Sequence, residues 1–339
     1  MPTIAVDAMG GDQAPEETVR GVADVSLQTD IDCLLVGDED RIQAVLERVA
    51  YNPEQIAIRH CTETIAMGDD PRESVRTRRD ASLMVAIRAV AEERADAVVS
   101  AGNTGACILG AARHFRPLAG VRRAALAAVL PRRAQHPGQD PLALLLDAGA
   151  TVHCDADELV RFAVMGSAYA RRVSKVPAPR VGLLNMGGEP SKGGEVLVET
   201  HRRLAALPGL DFVGNVEGHE LVTGRADVIV CEGLLGNVAL KLFEGISEVL
   251  VDLARAAAER KLVWRMGLRL LAQGVDSLQA LTDYRRYGGA PILGFEQLLL
   301  TCHGRSDARA IANAVKVAAK AVRDRVPAEI AGALGGGWR

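Results

Sequence analysis

Short apolar runs of four to seven residues recur along the chain, and stretches with a helical pattern separate them. Runs of this length that are rich in Val, Ile and Leu indicate buried strands. The predicted strands are Thr3–Ala8, Asp32–Gly37, Gln55–His60, Asp96–Ala101, Ala125–Leu130, Leu142–Ala148, Arg180–Asn185 and Asp227–Glu232.

Helical patterns fill the intervals, for example over residues 38–49, 81–95, 155–173 and 306–326. Asp155 and Glu158 have the spacing of a capping box ahead of an apolar stripe, which predicts a helix start. This alternation predicts an α/β protein with a mostly parallel sheet and helices on both faces. No internal repeat or long linker is evident. Residues 131–141 are predicted to form a surface loop, and residues 332–339 are predicted to fray.

The amino-acid composition predicts the make-up of the core and argues against several classes of partner and location. Hydrophobic residues make up 48% of the chain and aromatic residues only 3%, so the core is built from Ala, Val, Leu and Ile. A net charge of -3 gives no global field favouring nucleic acid or an anionic membrane, so no nucleic-acid partner is expected. The six cysteines form no C-x-x-C pair, which favours buried thiols in a reducing cytosol over disulfides or zinc. The amino terminus reads as a strand rather than a signal peptide, and no apolar run is long enough to span a bilayer.

Glycine and small polar residues follow five of the predicted strands. In an open α/β sheet, ligands bind beyond the carboxyl ends of the strands, so we expect these five ends to converge on one functional rim. The residues are Asp7, Gly10, Gly11 and Asp12; Ser100, Gly102, Asn103, Thr104 and Gly105; Asp147 and Gly149; Asn185, Gly187, Gly188, Glu189 and Lys192; and Glu232, Gly233, Gly236 and Asn237.

The stretch "SAGNTGA" (100–106) joins a strand to a helical pattern and is the best candidate for an anion site. The dinucleotide fingerprint G-x-G-x-x-G, the P-loop and the G-x-S-x-G elbow are all absent. A small phosphate fits a helix amino terminus, where free N–H groups and the helix dipole favour an anion. Lys192 is the candidate cation for that phosphate, with an exposed loop lysine as the alternative reading.

The sequence gives weaker evidence for a general base or a metal site than for an anion site. His303, in "TCHGRSD", is either a base or a capping residue. Asp7 with Asp12, or Glu232, could hold magnesium, but acids beside glycines more often form turns, and no metal or cofactor is predicted. Spacing alone therefore indicates an α/β enzyme that binds a small anion, without defining its reaction.

Ten motifs in order carry a resemblance to a known family: "IAVDAMGGDQAPE", "LVGD", "SAGNTGA", "LLLDAGA", "MGSAYA", "PRVGLLNMGGEPSKG", "FVGNVEG", "ADVIVCEGLLGNVALK", "YGGAPILG" and "HGRSDARAI". From Thr3 to about Val326 the chain resembles the PlsX family of acyl-carrier-protein-dependent phosphate acyltransferases. It departs from the family at Ala81 and Leu235, where a hydroxyl is usual, and at Arg305, where a small residue is common.

The resemblance implies reversible transfer of a long acyl chain from acyl carrier protein to inorganic phosphate, giving acyl phosphate for membrane phospholipid synthesis. It also implies a three-layer α/β/α sandwich, similar to phosphotransacetylases and the isocitrate and isopropylmalate dehydrogenase superfamily. We expect one such domain over residues 1–330, followed by a tail over residues 331–339. A short-chain acyl-CoA phosphotransacetylase and a non-catalytic membrane-associated scaffold of lipid synthesis are the alternatives.

In this interpretation phosphate is the nucleophile and the site mainly places it. The expected phosphate ligands are Ser100, Gly102, Asn103, Thr104 and Gly105. The expected catalytic residues are Asp7 and Asp12, which handle a proton or orient a donor, and Asn185, Lys192 and Asn237, which stabilise the oxyanion of the attacked thioester.

Family members are cytoplasmic homodimers that associate peripherally with the membrane, and a downstream membrane glycerol-3-phosphate acyltransferase is a further expected partner. Acyl carrier protein is acidic, so arginines are its expected contacts: Arg72, Arg76, Arg78, Arg79, Arg113 and Arg116. An amphipathic helical segment is expected at about residues 255–285. Within it the expected membrane contacts are Leu262, Trp264, Met266, Leu268 and Leu271, and burial in the dimer interface is the alternative.

Overall fold

The computed structural model describes residues 1–134, 139–260 and 288–335. The strands in these ranges are β1 Thr3–Asp7, β2 Asp32–Gly37, β3 Ile56–His60, β4 Ala97–Ser100, β5 Ala125–Pro131, β6 Leu142–Leu146, β7 Arg180–Leu184, β8 Asp211–Val216, β9 Val228–Val230, β10 Ala290–Leu293 and β11 Leu298–Thr301. All eight predicted strands are present, and β8, β10 and β11 are additional.

The helices in the same ranges are α1 Glu16–Gln28, α2 Glu39–Leu46, α3 Pro71–Thr77, α4 Ser82–Ala91, α5 Thr104–His114, α6 Ala156–Arg172, α7 Gly194–Ala205, α8 Gly233–Arg260, α9 Ala308–Arg323 and α10 Val326–Gly335, with a 3-10 turn at Gly218–Val222. The predicted capping box of α6 is confirmed: the Asp155 carboxylate accepts from the Glu158 N–H, and the Glu158 carboxylate accepts from the Asp155 N–H. Residues 332–335 were predicted to fray but form the end of α10, because Leu334 is buried in the core.

The strands form one sheet in the order β3-β2-β1-β4-β11-β10-β5-β6-β9-β7-β8. Alternate residues of each strand face opposite sides, so the sheet separates two apolar cores. In β1, Ile4 and Val6 pack with α1, α6, α9 and α10 on one side, while Ala5 packs with α4 and α5 on the other. This arrangement confirms the predicted three-layer α/β/α sandwich.

Strand direction changes in the middle of the sheet. The strands β1, β2, β3, β4 and β11 are parallel to one another, and so are β6, β7, β8 and β9. Between the two groups, β11, β10, β5 and β6 pair successively antiparallel. The three reversals leave the two parallel groups running in opposite directions.

A buried ion cluster joins the amino-terminal ends of β7 and β9 to the end of β5. Asp227 pairs with Arg132 at 2.6 Å and with Arg180 at 3.0 Å, and the Arg132 side chain is fully buried. Burial alone would raise the pKa of Asp227. Hydrogen bonds from both arginines outweigh burial and leave that pKa lowered.

Candidate functional site

Asp7 forms a buried polar cluster at the end of β1. Its carboxylate accepts hydrogen bonds from the Ser82 hydroxyl at 2.6 Å and the Ser100 hydroxyl at 2.7 Å. Ser100 in turn accepts from the Gly102 N–H at 3.0 Å. Burial raises the pKa of Asp7, and the hydrogen bonds from the two serines oppose that shift. The cluster joins β1, β4 and the start of α4.

Gly10 covers this cluster. A methyl group placed on Gly10 would lie 2.5 Å from the Asp7 carboxylate, 2.8 Å from the Gly102 nitrogen and 3.0 Å from the Ser100 hydroxyl. Only glycine fits here without displacing backbone. Asp7 and Ser100 therefore shape the turn from within. The catalytic role of Asp7 and the phosphate-binding role of Ser100 stay predictions.

Asn103 is the amino-terminal cap of α5. Its side-chain oxygen accepts from the Ala106 N–H at 3.0 Å, and its side-chain nitrogen donates to the carbonyls of Met67 and Asp69, each at 3.1 Å. Both ends of the amide are thus occupied. The assignment of Asn103 as a phosphate ligand stays a prediction that would require the amide to leave these partners.

The first turn of α5 retains open donors. The N–H groups of Thr104 and Gly105 precede the first amide that a helix can pair internally. In the described ranges neither has a hydrogen-bond acceptor, and neither does the Thr104 hydroxyl. Both residues are partly exposed. Of the predicted phosphate ligands, these two have the groups that an arriving anion can use directly.

A second polar cluster surrounds Asp147 at the end of β6. Its fully buried carboxylate accepts from the N–H groups of Leu126, Gly149, Ala150 and Thr151, at 2.8 to 3.0 Å. It also accepts from the Thr151 hydroxyl at 2.8 Å, and that hydroxyl accepts from the Gly233 N–H at 3.0 Å. Asp147 therefore fixes the turn after β6 and, through Thr151, the start of α8.

Two buried amides hold the loop after β7. The Asn185 side chain donates to the Lys192 carbonyl at 3.0 Å and accepts from the Met186 N–H at 2.8 Å. The Asn215 side chain, from β8, donates to the Glu189 carbonyl at 2.7 Å. The Lys192 side chain is exposed. Asn185 thus supports the loop that carries Lys192, and the catalytic role of either residue stays a prediction.

The helix α8 connects the two groups of strand ends. Near its start, the Asn237 side chain lies 3.6 Å from a methyl group placed on Gly149. Further along, the charge of Lys241 acts on His303, whose pKa is lowered first by burial and then by that charge. Asp12 lies beside the same turn, because its N–H donates to the Gly304 carbonyl at 2.8 Å.

The prediction that five strand ends converge on one functional rim stays a prediction. The three antiparallel pairings reverse the second group of strands along the sheet, and the strand-to-strand twist also rotates the two groups relative to each other. The helix α8 begins beside Asp147, where the Gly233 N–H donates to the Thr151 hydroxyl. The candidate site consists of the turns along the first part of this helix and the first turn of α5.

The predicted docking arginines lie on α3 and α5 or next to them, and these two helices pack together. The exposed members are Arg72, Arg76, Arg79, Arg113 and Arg116. Arg78 differs, because its guanidinium binds the Asp69 carboxylate and donates to the Thr64 carbonyl at 2.9 Å. The predicted membrane contacts Leu262, Trp264, Met266, Leu268 and Leu271 lie outside the described residues.

Three polar residues of the site were not among the predicted site residues. Ser82, Thr151 and Asn215 each complete the hydrogen bonding of a strand-end residue. Two signals were available: Thr151 stands two residues after the glycine of "LLLDAGA", and Asn215 lies within "FVGNVEG".

Neither a membrane-spanning helix nor a metal-binding cluster is found among the described residues. No helix among them is both long and apolar enough to cross a membrane. Within residues 1–134, 139–260 and 288–335, histidine, cysteine and acidic side chains form no group of three that could hold a metal ion.

Comparison with known proteins gives consistent matches over nearly the whole chain. The model of the fatty acid synthesis protein family matches residues 2–329. A phosphate acyltransferase of Dictyoglomus turgidum is 40% identical over 328 residues, covering 96% of each chain. One from Moorella thermoacetica is 42% identical over 319 residues, covering 94% of this chain and 92% of that protein.

Solved structures give the same fold at low identity. A phosphotransacetylase from Streptococcus pyogenes matches with a TM-score of 0.63 at 16% identity, covering 95% of this chain and 94% of that one. A 4-hydroxythreonine-4-phosphate dehydrogenase from Klebsiella pneumoniae matches with a TM-score of 0.52 at 14% identity, covering 95% and 100%. The expected likeness to phosphotransacetylases is confirmed at the level of the fold.

Proposed function

The chain belongs to the fatty acid synthesis protein family, the PlsX family of phosphate acyltransferases, and we propose that it transfers a long-chain acyl group from acyl carrier protein to inorganic phosphate. The reversible reaction gives acyl phosphate for membrane phospholipid synthesis. One observation carries the assignment of the phosphate site: the N–H groups of Thr104 and Gly105 are open at the first turn of α5.

The reaction needs placement more than activation. Hydrogen phosphate binds the two N–H groups and the Thr104 hydroxyl, where the helix dipole favours its charge. One phosphate oxygen attacks the thioester carbonyl, so a carbon–oxygen bond forms and the carbon–sulfur bond breaks. The released thiolate of the carrier takes up the phosphate proton, which leaves a thiol and an acyl phosphate.

The oxyanion of the intermediate requires preorganised donors, each worth about 3 kcal/mol in comparable sites. The side chains of Asn237 and Lys192 are exposed and available for this role, and Asp12 is exposed beside the Gly304 turn. We assign Asp7 and Asn185 the task of supporting these turns, because their polar atoms are engaged inside the protein.

Carrier protein docks, in this proposal, on the basic surface formed by α3, α5 and their adjoining turns. The surface consists of the exposed residues Arg72, Arg76, Arg79, Arg113 and Arg116. It lies close to the phosphate site, because Pro71 at the start of α3 contacts the position of Gly105. An acidic partner bound here would bring its thioester arm near the first turn of α5.

We further propose that the protein is a homodimer. The helix α8 exposes apolar side chains at intervals of mostly four residues, each 41% to 62% exposed: Leu235, Val238, Leu242, Ile246, Val249 and Leu253. A helix face of this kind is normally covered, and a second copy of the chain is the occupant we propose. Light scattering should report a dimer for the wild type and a monomer for Leu242→Asp, with Lys241→Glu on the same helix as a control.

Peripheral membrane association remains part of the proposal, as do a cytoplasmic location and contact with a downstream membrane acyltransferase. Flotation with vesicles containing anionic lipid tests the association. The experiment compares the wild type with Trp264→Asp, after light scattering has shown that the variant is still a dimer. Loss of flotation in that variant is expected, and unchanged flotation would exclude the predicted membrane contacts.

The decisive experiment offers the enzyme phosphate with either palmitoyl carrier protein or acetyl-CoA and detects acyl phosphate as its hydroxamate. We expect product from the palmitoyl carrier. Product from acetyl-CoA alone would favour the phosphotransacetylase alternative, and no product from either would favour a scaffold. Thr104→Val should lower the rate with the fold intact, whereas Thr104→Ser should retain most of it.

A further inference from the structure

Residues 64–70, here called the cover segment, lie between β3 and α3 against the first turn of α5. The Asn103 side chain donates to two of its carbonyls, those of Met67 and Asp69, at 3.1 Å. Pro71, directly after the segment, packs on the same turn: its ring carbons lie 3.0 and 3.1 Å from a methyl group placed on Gly105. The segment is therefore docked on the turn that carries the open N–H groups.

The cover segment also reaches the turn after β11. The terminal methyl of Met67 lies 2.8 Å from a methyl group placed on Gly304. The Gly304 carbonyl accepts from the Asp12 N–H at 2.8 Å. The segment thus spans the interval between the first turn of α5 and the loop that holds Asp12.

Asp69 and Arg78 fix the shape of the segment. The Asp69 carboxylate accepts from the Ala66 N–H at 2.8 Å and binds the Arg78 guanidinium. The same guanidinium donates to the Thr64 carbonyl at 2.9 Å. The hydrogen bond from the Ala66 N–H, followed by that from Arg78, lowers the pKa of Asp69. One arginine therefore ties the beginning of the segment to its end.

We propose that Asp69 and Arg78 are positioning residues, which hold the cover segment as one wall of the phosphate site. This inference rests on the proposed function, since it assumes that phosphate binds at Thr104 and Gly105. It gives Arg78 a different task from its neighbour Arg79. Arg79 is exposed and belongs to the surface proposed for carrier protein, whereas the Arg78 guanidinium is engaged within the chain.

The test measures the KM for phosphate and the KM for carrier protein separately. Full-length Asp69→Asn and Arg78→Gln should each raise the KM for phosphate about tenfold and leave the KM for palmitoyl carrier protein within about twofold. Arg79→Gln, the same substitution one residue later, should raise the KM for the carrier only. Arg78→Lys, which keeps a cation beside Asp69, should recover part of the phosphate affinity.

Hydrogen–deuterium exchange supplies a readout that does not depend on activity. Asp69→Asn and Arg78→Gln should speed exchange of the Ala66 amide and weaken the protection that added inorganic phosphate gives to Thr104 and Gly105. If the thermal midpoints of Asp69→Asn and Arg78→Gln equal that of Arg79→Gln, the fold of both variants is intact. If they are lower, the exchange measurement is made on the milder variant Arg78→Lys.

Two results would overturn the inference. One is an Arg78→Gln enzyme with a raised KM for carrier protein alone, which would make Arg78 a docking residue. The other is unchanged exchange in the cover segment of both variants. If the wild type makes no acyl phosphate, the proposed function fails, and the exchange data still decide whether Asp69 and Arg78 hold the segment.

Discussion

Replacing Thr151 by valine should destabilise the protein through two buried groups at once. The hydroxyl donates to the Asp147 carboxylate at 2.8 Å and accepts from the Gly233 N–H at 3.0 Å. A hydrogen bond to a charged group contributes about 1.5 to 3 kcal/mol, and a buried N–H without an acceptor costs about 1 to 3 kcal/mol. We therefore expect the free energy of unfolding to fall by about 2.5 to 6 kcal/mol.

The matched control is Thr151→Ser, which keeps the hydroxyl and loses one methyl group, a change of about 1 kcal/mol. Equilibrium urea unfolding followed by circular dichroism measures both variants, with the m-value confirming that the same surface unfolds. Because Gly233 begins α8, Thr151→Val should also lower turnover at the Asn237 end of that helix. If the free energies of unfolding of Thr151→Val and Thr151→Ser differ by less than about 0.5 kcal/mol, the bridging role of the hydroxyl is refuted.

Three further outcomes are expected. Asp227→Asn breaks the buried ion cluster and should cost about 3 to 5 kcal/mol at neutral pH. Because the pKa of Asp227 is lowered in the folded protein, the stability that its ionised carboxylate contributes is complete above about pH 4 and is lost as the pH falls through the folded-state pKa. Urea unfolding at a series of pH values should therefore show the stabilities of the wild type and Asp227→Asn converging in acid. Gly10→Ala should lower the unfolding free energy by about 1 to 3 kcal/mol and reduce turnover, whereas Gly218→Ala, with nothing within 4 Å of the added methyl, should leave both unchanged. Asn103→Asp keeps the helix-cap oxygen but loses the donor to the cover segment, so exchange at Ala66 should quicken while the helicity of α5 is retained; unchanged exchange would contradict that contact.

The sequence was sufficient for the layers of the fold and for most of the strands, because buried parallel strands are continuous apolar runs. The strands that were not predicted lack this signal. Gly214 and Asn215 interrupt β8, and Pro291 lies in β10. The exception is β11, Leu298–Thr301, which is a short apolar run and was missed although it has the signal. Strand direction was also out of reach, since it depends on the non-local pairing of β10 with β5.

The turns of the site were predicted better than the tasks of their residues. Glycine, asparagine and serine at a strand end serve equally to cap a helix, to close a turn or to bind an anion. Asn103 illustrates the ambiguity: its position before α5 predicts a phosphate ligand, while in the fold its amide hydrogen-bonds to the helix cap and the cover segment. Only the three-dimensional contacts distinguish these roles.

The position of β11 beside β4 has a consequence for how the chain matures on the ribosome. The edge of β4 pairs with residues 298–301, and α1 packs against α9. Both partners are synthesised about 200 residues after β4, which takes about 10 to 40 s at about 5 to 20 residues per second. During that interval the nascent chain carries an open strand edge and an uncovered apolar helix face. We therefore expect the amino-terminal portion to depend on chaperones until α9 has emerged, and fragments that end before β11 to aggregate.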